Sequence, residues 1–146
     1  IQRNNQNIEI AHKIYIELVT RKMAIPIDDN DVISEVYNSW YKLYDITRAE
    51  LKSMNGDLIV NNVVANQLAT LLIDILNKAL RPHLTEYQAA FRKWYEEELK
   101  LGINSGKSPQ EIQKKYPKYT DLINSMKEVN TMLIDYSNNL KKIISN

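Results

Sequence analysis

The chain contains no cysteine. That excludes disulfides, thiolate catalysis and cysteine-ligated metal, and it fits a reducing cytosol. With 3 Gly and 4 Pro in 146 residues, it also lacks the punctuation that sheets and long loops need. Gly56, Gly102 and Gly106 stand apart from one another, so there is no glycine-rich phosphate loop. Two histidines without an HExxH pattern make a poor zinc set. An excess of one charge is missing too. The formal net charge is +1, so no global field argues for nucleic acid or an acidic membrane. The apolar run Leu58–Leu80 carries Asp74 and four Asn and does not read as a membrane span. No signal peptide is visible.

What is present is ordinary globular usage, 44% hydrophobic and 25% charged, in a length that suits one domain with a real core. There are 18 Ile and 16 Asn, which together with the many Lys hint at an AT-rich coding sequence of bacterial or mobile-element origin. The sequence starts at Ile1 rather than Met, which reads as a single domain, residues 1–146, taken from a longer protein.

Apolar residues recur at steps of three and four, the spacing of one helix face. A first helix is expected over about Gln6–Ala24, with Ile8, Ala11, Ile14, Tyr15, Leu18 and Val19 inward. A second, Val32–Met54, carries Ile33, Val36, Tyr37, Trp40, Leu43, Tyr44, Leu51 and Met54 on its inner face, with Gly56 as a left-handed stop. Asp28, Asp29 and Asp31 between them lack the glycine and distal glutamate of a calcium loop. They read instead as caps on the positive end of the second helix.

Residues 66–98 are the centre of the chain. Leu68, Leu71, Leu72, Ile75, Leu76 and Ala79 form one stripe, and Tyr87, Phe91, Trp94, Tyr95 and Leu99 another. Pro82 between them has no amide hydrogen and disfavours helical dihedrals at Arg81, which predicts a kink or break near residue 82. Thr85 and Gln88 have capping-box spacing, so a new helix can start there. One kinked helix over 63–101 and two separate helices both stay open. Ser108-Pro109-Gln110-Glu111 is a helix start for a short segment. The last helix, from about Tyr119 to Ile144, shows a heptad seam at Leu122, Met126, Val129, Leu133, Tyr136, Leu140 and Ile143. Such a seam ordinarily packs within the chain; self-association is the sharper reading. Trp40 and Trp94 are expected to be buried, whereas Tyr116 and Tyr119 fall outside the predicted inner faces.

Arg81 and His83 flank the proline, with Arg92 and Lys93 further along. Such a cluster can bind phosphate through charge and a forked guanidinium. The plainer and preferred reading has Arg81 tying down carbonyls freed by Pro82, and His83 at the surface. Arg21 and Arg48 each follow a Thr near the end of an apolar face, so Arg21, Arg48, Arg81 and His83 would converge on an anion only if the helix offsets allow. Helical nucleases with an Arg-x4-6-His motif are not matched: Arg3 to His12 is too long and Arg81 to His83 too short. Glu96, Glu97 and Glu98 lack the Glu-x-x-His repeats of a di-metal site. No nucleophile–base pair is visible, so an enzyme is the least favoured class, and neither cofactor nor metal is expected.

Two stretches, AHKIYIELVTRK at 11–22 and LNKALRPHLTEYQAAFRKWYE at 76–96, resemble a poorly characterised group of bacterial proteins. In that group an Ala-His…Tyr…Glu-Leu-Val-Thr-Arg helix precedes a second helix with a Thr-Arg, here Thr47-Arg48, then a Leu-Arg-Pro turn and a helix ending in Trp. The resemblance spans most of residues 11–96. It implies hydrophobic segments ahead of the domain that tether it to a membrane, and no assigned chemistry. A looser similarity links the chain to cytosolic domains of bacterial antiviral membrane effectors, some of which sense cyclic oligonucleotides.

The fold expected is all-α, an antiparallel bundle of four long helices and one short one. The function expected is a non-enzymatic cytosolic interaction or oligomerisation module of a membrane-tethered bacterial protein, in phage defence. It would form a homo-oligomer and meet the membrane only through segments outside these residues. The alternative is a sensor of an anionic nucleotide such as a cyclic oligonucleotide, bound by Arg21, Arg48, Arg81 and His83.

Overall fold

A computed structural model describes residues 5–145; Arg3, one end of the rejected nuclease spacing, lies outside them. The chain is all-helical, and the described residues form no strand. Four long helices make the bundle: α1 (Asn5–Val19), α2 (Ile33–Ser53), α4 (Val63–Leu99) and α6 (Tyr119–Ser145). Two short ones join them rather than the one expected, α3 (Gly56–Asn61) and α5 (Pro109–Gln113). The addition is α3. Asn55 accepts from the amides of Asp57 and Leu58 and so starts a helix where the sequence suggested a stop. Gly56 is its first residue, and the one left-handed glycine is Gly106, at φ 80°.

The heptad seam of α6 lies inward. Leu122, Met126, Val129, Leu133 and Leu140 are buried, and α6 packs along α1 and the middle of α4. Five seam residues are therefore spent within the chain; Tyr136 and Ile143 are half-buried, and Ile143 lines an open cleft with Val64 and Leu71. Trp40 is fully buried, whereas Trp94 is only half-buried. Tyr116 is buried rather than outlying, because its ring meets Phe91 at 5.2 Å and Trp94 at 5.1 Å.

Pro82 neither breaks the chain nor starts a new helix. Helix α4 runs through it for 37 residues. It is α-helical to Asp74, π-helical over Ile75–Leu80 and again over Leu84–Gln88, and α-helical from Ala89. The Arg81 amide reaches back five residues to the Leu76 carbonyl. Widening the helix on both sides of the proline relieves the clash and redistributes the carbonyls that Pro82 cannot serve. Thr85, offered as a helix cap, sits inside the second π segment. By length and composition α4 can cross a membrane, with 44% of its most apolar window buried inside the fold. Here its Ile75–Leu80 segment touches both α2 and α6, as a core helix does.

Two buried amides hold the 20–33 connector. Asn130 on α6 accepts from the Ile27 amide at 3.2 Å and donates to the Met23 carbonyl at 2.8 Å. Gln113 on α5 accepts from the Ile33 amide and donates to the Asp31 carbonyl, both at 2.9 Å. The start of α2 is thus capped from eighty residues away, not by the aspartates, since its N-cap Val32 offers no side-chain bond. Asp28 and Asp31 instead bond amides of their own turn and pair with Lys22.

Candidate functional site

Residues 81–83 face two ways. Arg81 and Pro82 are exposed, and His83 is buried with 2% of its surface accessible. The expectation of His83 at the surface, or as a ligand-binding group beside Arg81, is corrected by this placement. The helix continues through Pro82, and the imidazole lies inward, where Nε2 lies 2.8 Å from Tyr37 Oη and Nδ1 lies 2.7 Å from Ser125 Oγ. Each hydroxyl can donate or accept, so either neutral tautomer is satisfied at both nitrogens. Trp40 at 5.2 Å and Tyr87 at 5.0 Å close around the ring. Burial pushes the His83 pKa down to about 4, and burial also raises that of the Tyr37 phenol.

Ser125 and His83 form a hydroxyl–imidazole pair that the sequence did not reveal. Nothing in the spacing marks Ser125; it falls between the buried Leu122 and Met126. The pair is built as a lock. Both ring nitrogens are occupied, the ring is buried, and Ser125 sits mid-helix, where backbone amides are spent on the helix ladder and cannot form an oxyanion hole.

The outward group is different. Arg81 donates from Nη2 to Tyr44 Oη and from Nε to Asn77 Oδ1 at 3.1 Å. It therefore does not tie down carbonyls of the preceding turn, as the plainer reading had it. Arg48 approaches the same tyrosine, its guanidinium carbon 4.9 Å from the ring centre, with that of Arg81 at 5.6 Å. The ring face and the phenol oxygen attract both cations. Neither guanidinium has a carboxylate partner among the described residues. Beside them opens a cleft of about 230 Å³ lined by Tyr41, Tyr44, Arg81, Leu84 and Thr85. Tyr41 is held at its edge by a 3.0 Å bond to Gln88.

Of the four proposed ligand residues, two meet. Arg48 and Arg81 share Tyr44; His83 points to the other side of the helix wall, and Arg21, in the turn after α1, is paired back to Glu17 at 2.6 Å. The sequence missed Tyr44 as the meeting point. Its position four residues before Arg48 on a helix was the available signal. His12 is exposed. No group of three or more metal-ligating side chains occurs among the described residues. No family model, curated protein or solved structure matches the chain.

Proposed function

We propose that the chain is a non-catalytic helical binding domain that takes an anionic ligand at the Arg48–Tyr44–Arg81 corner. The observation that carries this reading is the pair of guanidinium groups drawn to one tyrosine, neither of them in an ion pair among the described residues. Two like charges so placed repel, and a shared anion relieves the repulsion while using donors that Tyr44 leaves spare. The cleft suits a phosphate with part of an aromatic group over Tyr41, so a nucleotide is the class proposed. A volume of about 230 Å³ is below that of pockets that engulf a ligand, so most of the nucleotide lies at the surface. Because both arginines are exposed, binding is expected to weaken with salt.

The test is thermal unfolding of wild type, Arg48→Gln and Arg81→Gln with inorganic phosphate, mononucleotides and cyclic oligonucleotides. A ligand at about a hundred times its Kd adds about 2.7 kcal/mol, or several degrees in Tm for a domain of this size. Wild type should gain that and each variant should lose most of it. Equal responses in all three proteins would remove the site. Attachment to a membrane, a bacterial source and a role in phage defence are proposed on the motif resemblance alone. Self-association, also proposed there, would have to use surface beyond the five buried residues of the α6 seam.

A further inference from the structure

The end of α4 presents apolar side chains to water. Leu99 is 52% exposed, Leu101 48% and Ile103 73%. They are not on a slack loop. The Gly102–Asn104 turn is pinned by Asn104, only 4% exposed, which donates to the Glu98 carbonyl at 2.8 Å and its carboxylate at 2.9 Å. The same Asn104 accepts from Lys115 Nζ at 2.6 Å. A turn this firmly built, with three large aliphatic groups outward, bears a standing hydration cost that a polar residue at any of the three would avoid.

Basic residues follow it in the chain, and Lys115 reaches back to it. Between Leu99 and Lys118 there are five lysines and one acid, Glu111. Lys107 and Lys115 lie close enough that their ammonium groups press on one another, with the Glu98 carboxylate near Lys115, and none of the five lysines forms an ion pair within 4 Å among the described residues. Glu96 and Glu97 are exposed one turn back on α4, which confines the contact to the turn and its lysines. Exposed aliphatic groups on a pinned turn, with a lysine-rich segment next to them, match the interface of an anionic bilayer: acyl chains accept the aliphatic groups while phosphate and carboxylate headgroups accept the lysines. A hydrophobic protein partner would not call for the lysines, and a nucleic acid would not call for the aliphatic groups.

We propose that the Leu99–Ile103 turn is a peripheral docking point for an acidic phospholipid surface. This goes beyond the sequence expectation, in which membrane contact ran only through segments outside these residues, and it does not rest on the anion site. Co-sedimentation with vesicles of phosphatidylcholine alone, and of phosphatidylcholine mixed with phosphatidylserine, tests it. Wild type should pellet with the mixed vesicles at low salt, stay in solution with the neutral ones, and be released by added salt. One ammonium near such a surface is worth about a fivefold change in partitioning. Lys100→Gln/Lys107→Gln, which leaves the Lys115 bond to Asn104 in place, should therefore lose on the order of twentyfold. Leu101→Ser/Ile103→Ser should lose on the order of tenfold or more, with helicity by circular dichroism unchanged. Failure of wild type to pellet with the acidic vesicles, or equal binding by both variants, would overturn the proposal. So would an absence of vesicle binding alongside a dimer in sedimentation velocity that Ile103→Ser dissolves, which would make this surface a contact between copies of the chain.

Discussion

Acid should weaken this fold through His83 before its carboxylates titrate. The imidazole has an ordinary pKa of 6.5 and about 4 in the folded chain, held down by burial. No anion faces it; its neighbours are Tyr37, Ser125, Trp40 and Tyr87, all neutral. The hydroxyls of Tyr37 and Ser125 could accept from an imidazolium, so the cost of protonation is desolvation of charge rather than broken bonds. Above pH 6.5 the ring is neutral in both states and nothing is lost. As pH falls through 6.5 the unfolded chain binds a proton that the folded one refuses, and stability drops by up to about 1.4 kcal/mol per pH unit. Near pH 4 the folded ring protonates too and the decline from this residue ends, at a total of ~3 kcal/mol. Urea unfolding at intervals from pH 7.5 to 4, on wild type and His83→Gln, measures it. The variant should be less stable at pH 7.5, having lost ring contacts and hydrogen bonds. The gap should close as pH falls, because glutamine does not titrate. A gap that stays constant from pH 7 to 4 would show that His83 is not the acid-sensitive group.

Two further changes probe the packing. Trp40→Ala, at a fully buried position, should cost roughly 3–5 kcal/mol, and the half-buried Trp94→Ala roughly 1–3 kcal/mol; equal losses in chemical denaturation would contradict the burial difference. Asn130→Ala strips the Ile27 amide and Met23 carbonyl of their partner and should cost about 2–3 kcal/mol, with amide exchange at Ile27 sharply faster. Unchanged exchange there would mean that the connector is held some other way.

The helices were legible because their stripes are periodic. The Ser108 cap, whose hydroxyl accepts from the Glu111 amide at 3.2 Å, comes from local chemistry that acts over a few residues. The features that were not legible act over distance or at the surface of the helix cylinder. Gln113 capping α2 and Asn130 bracing the connector join residues 80 and 103 positions apart, and no local pattern marks either. Asn55 was misread because the same Asn-Gly-Asp triplet can end a helix through glycine or begin one through asparagine. Only the packing of the short run after it against α4 decides between them. Half of the arginine cluster was legible, since a charge on a helix face is visible in sequence. The tyrosine on which two of them meet was not, because its role depends on how α2 lies against α4.

Pro82 shows why the candidate residues sorted as they did. In a uniform α-helix, neighbours in sequence point about a hundred degrees apart, so Arg81 and His83 would stand on well-separated faces whatever the proline did. Sequence spacing alone leaves a kinked helix and two separate helices both open, and only the second would let His83 gather with the arginines in one corner. The two π segments allow the helix to continue instead. Continuation forces the division: the guanidinium goes out to Tyr44 and the imidazole goes in to Tyr37, both on α2 and two helical turns apart. The same helix wall therefore presents a cation to α2 at one level and a neutral hydrogen-bonding ring at another. A ligand that pulls Arg81 off Tyr44 acts one residue from the proline and two from the buried lock. Loss of the lock by His83→Gln should for that reason alter anion binding at Arg81 even though His83 lies outside the cleft, and an unchanged affinity would show that the π segments insulate the two sides from each other.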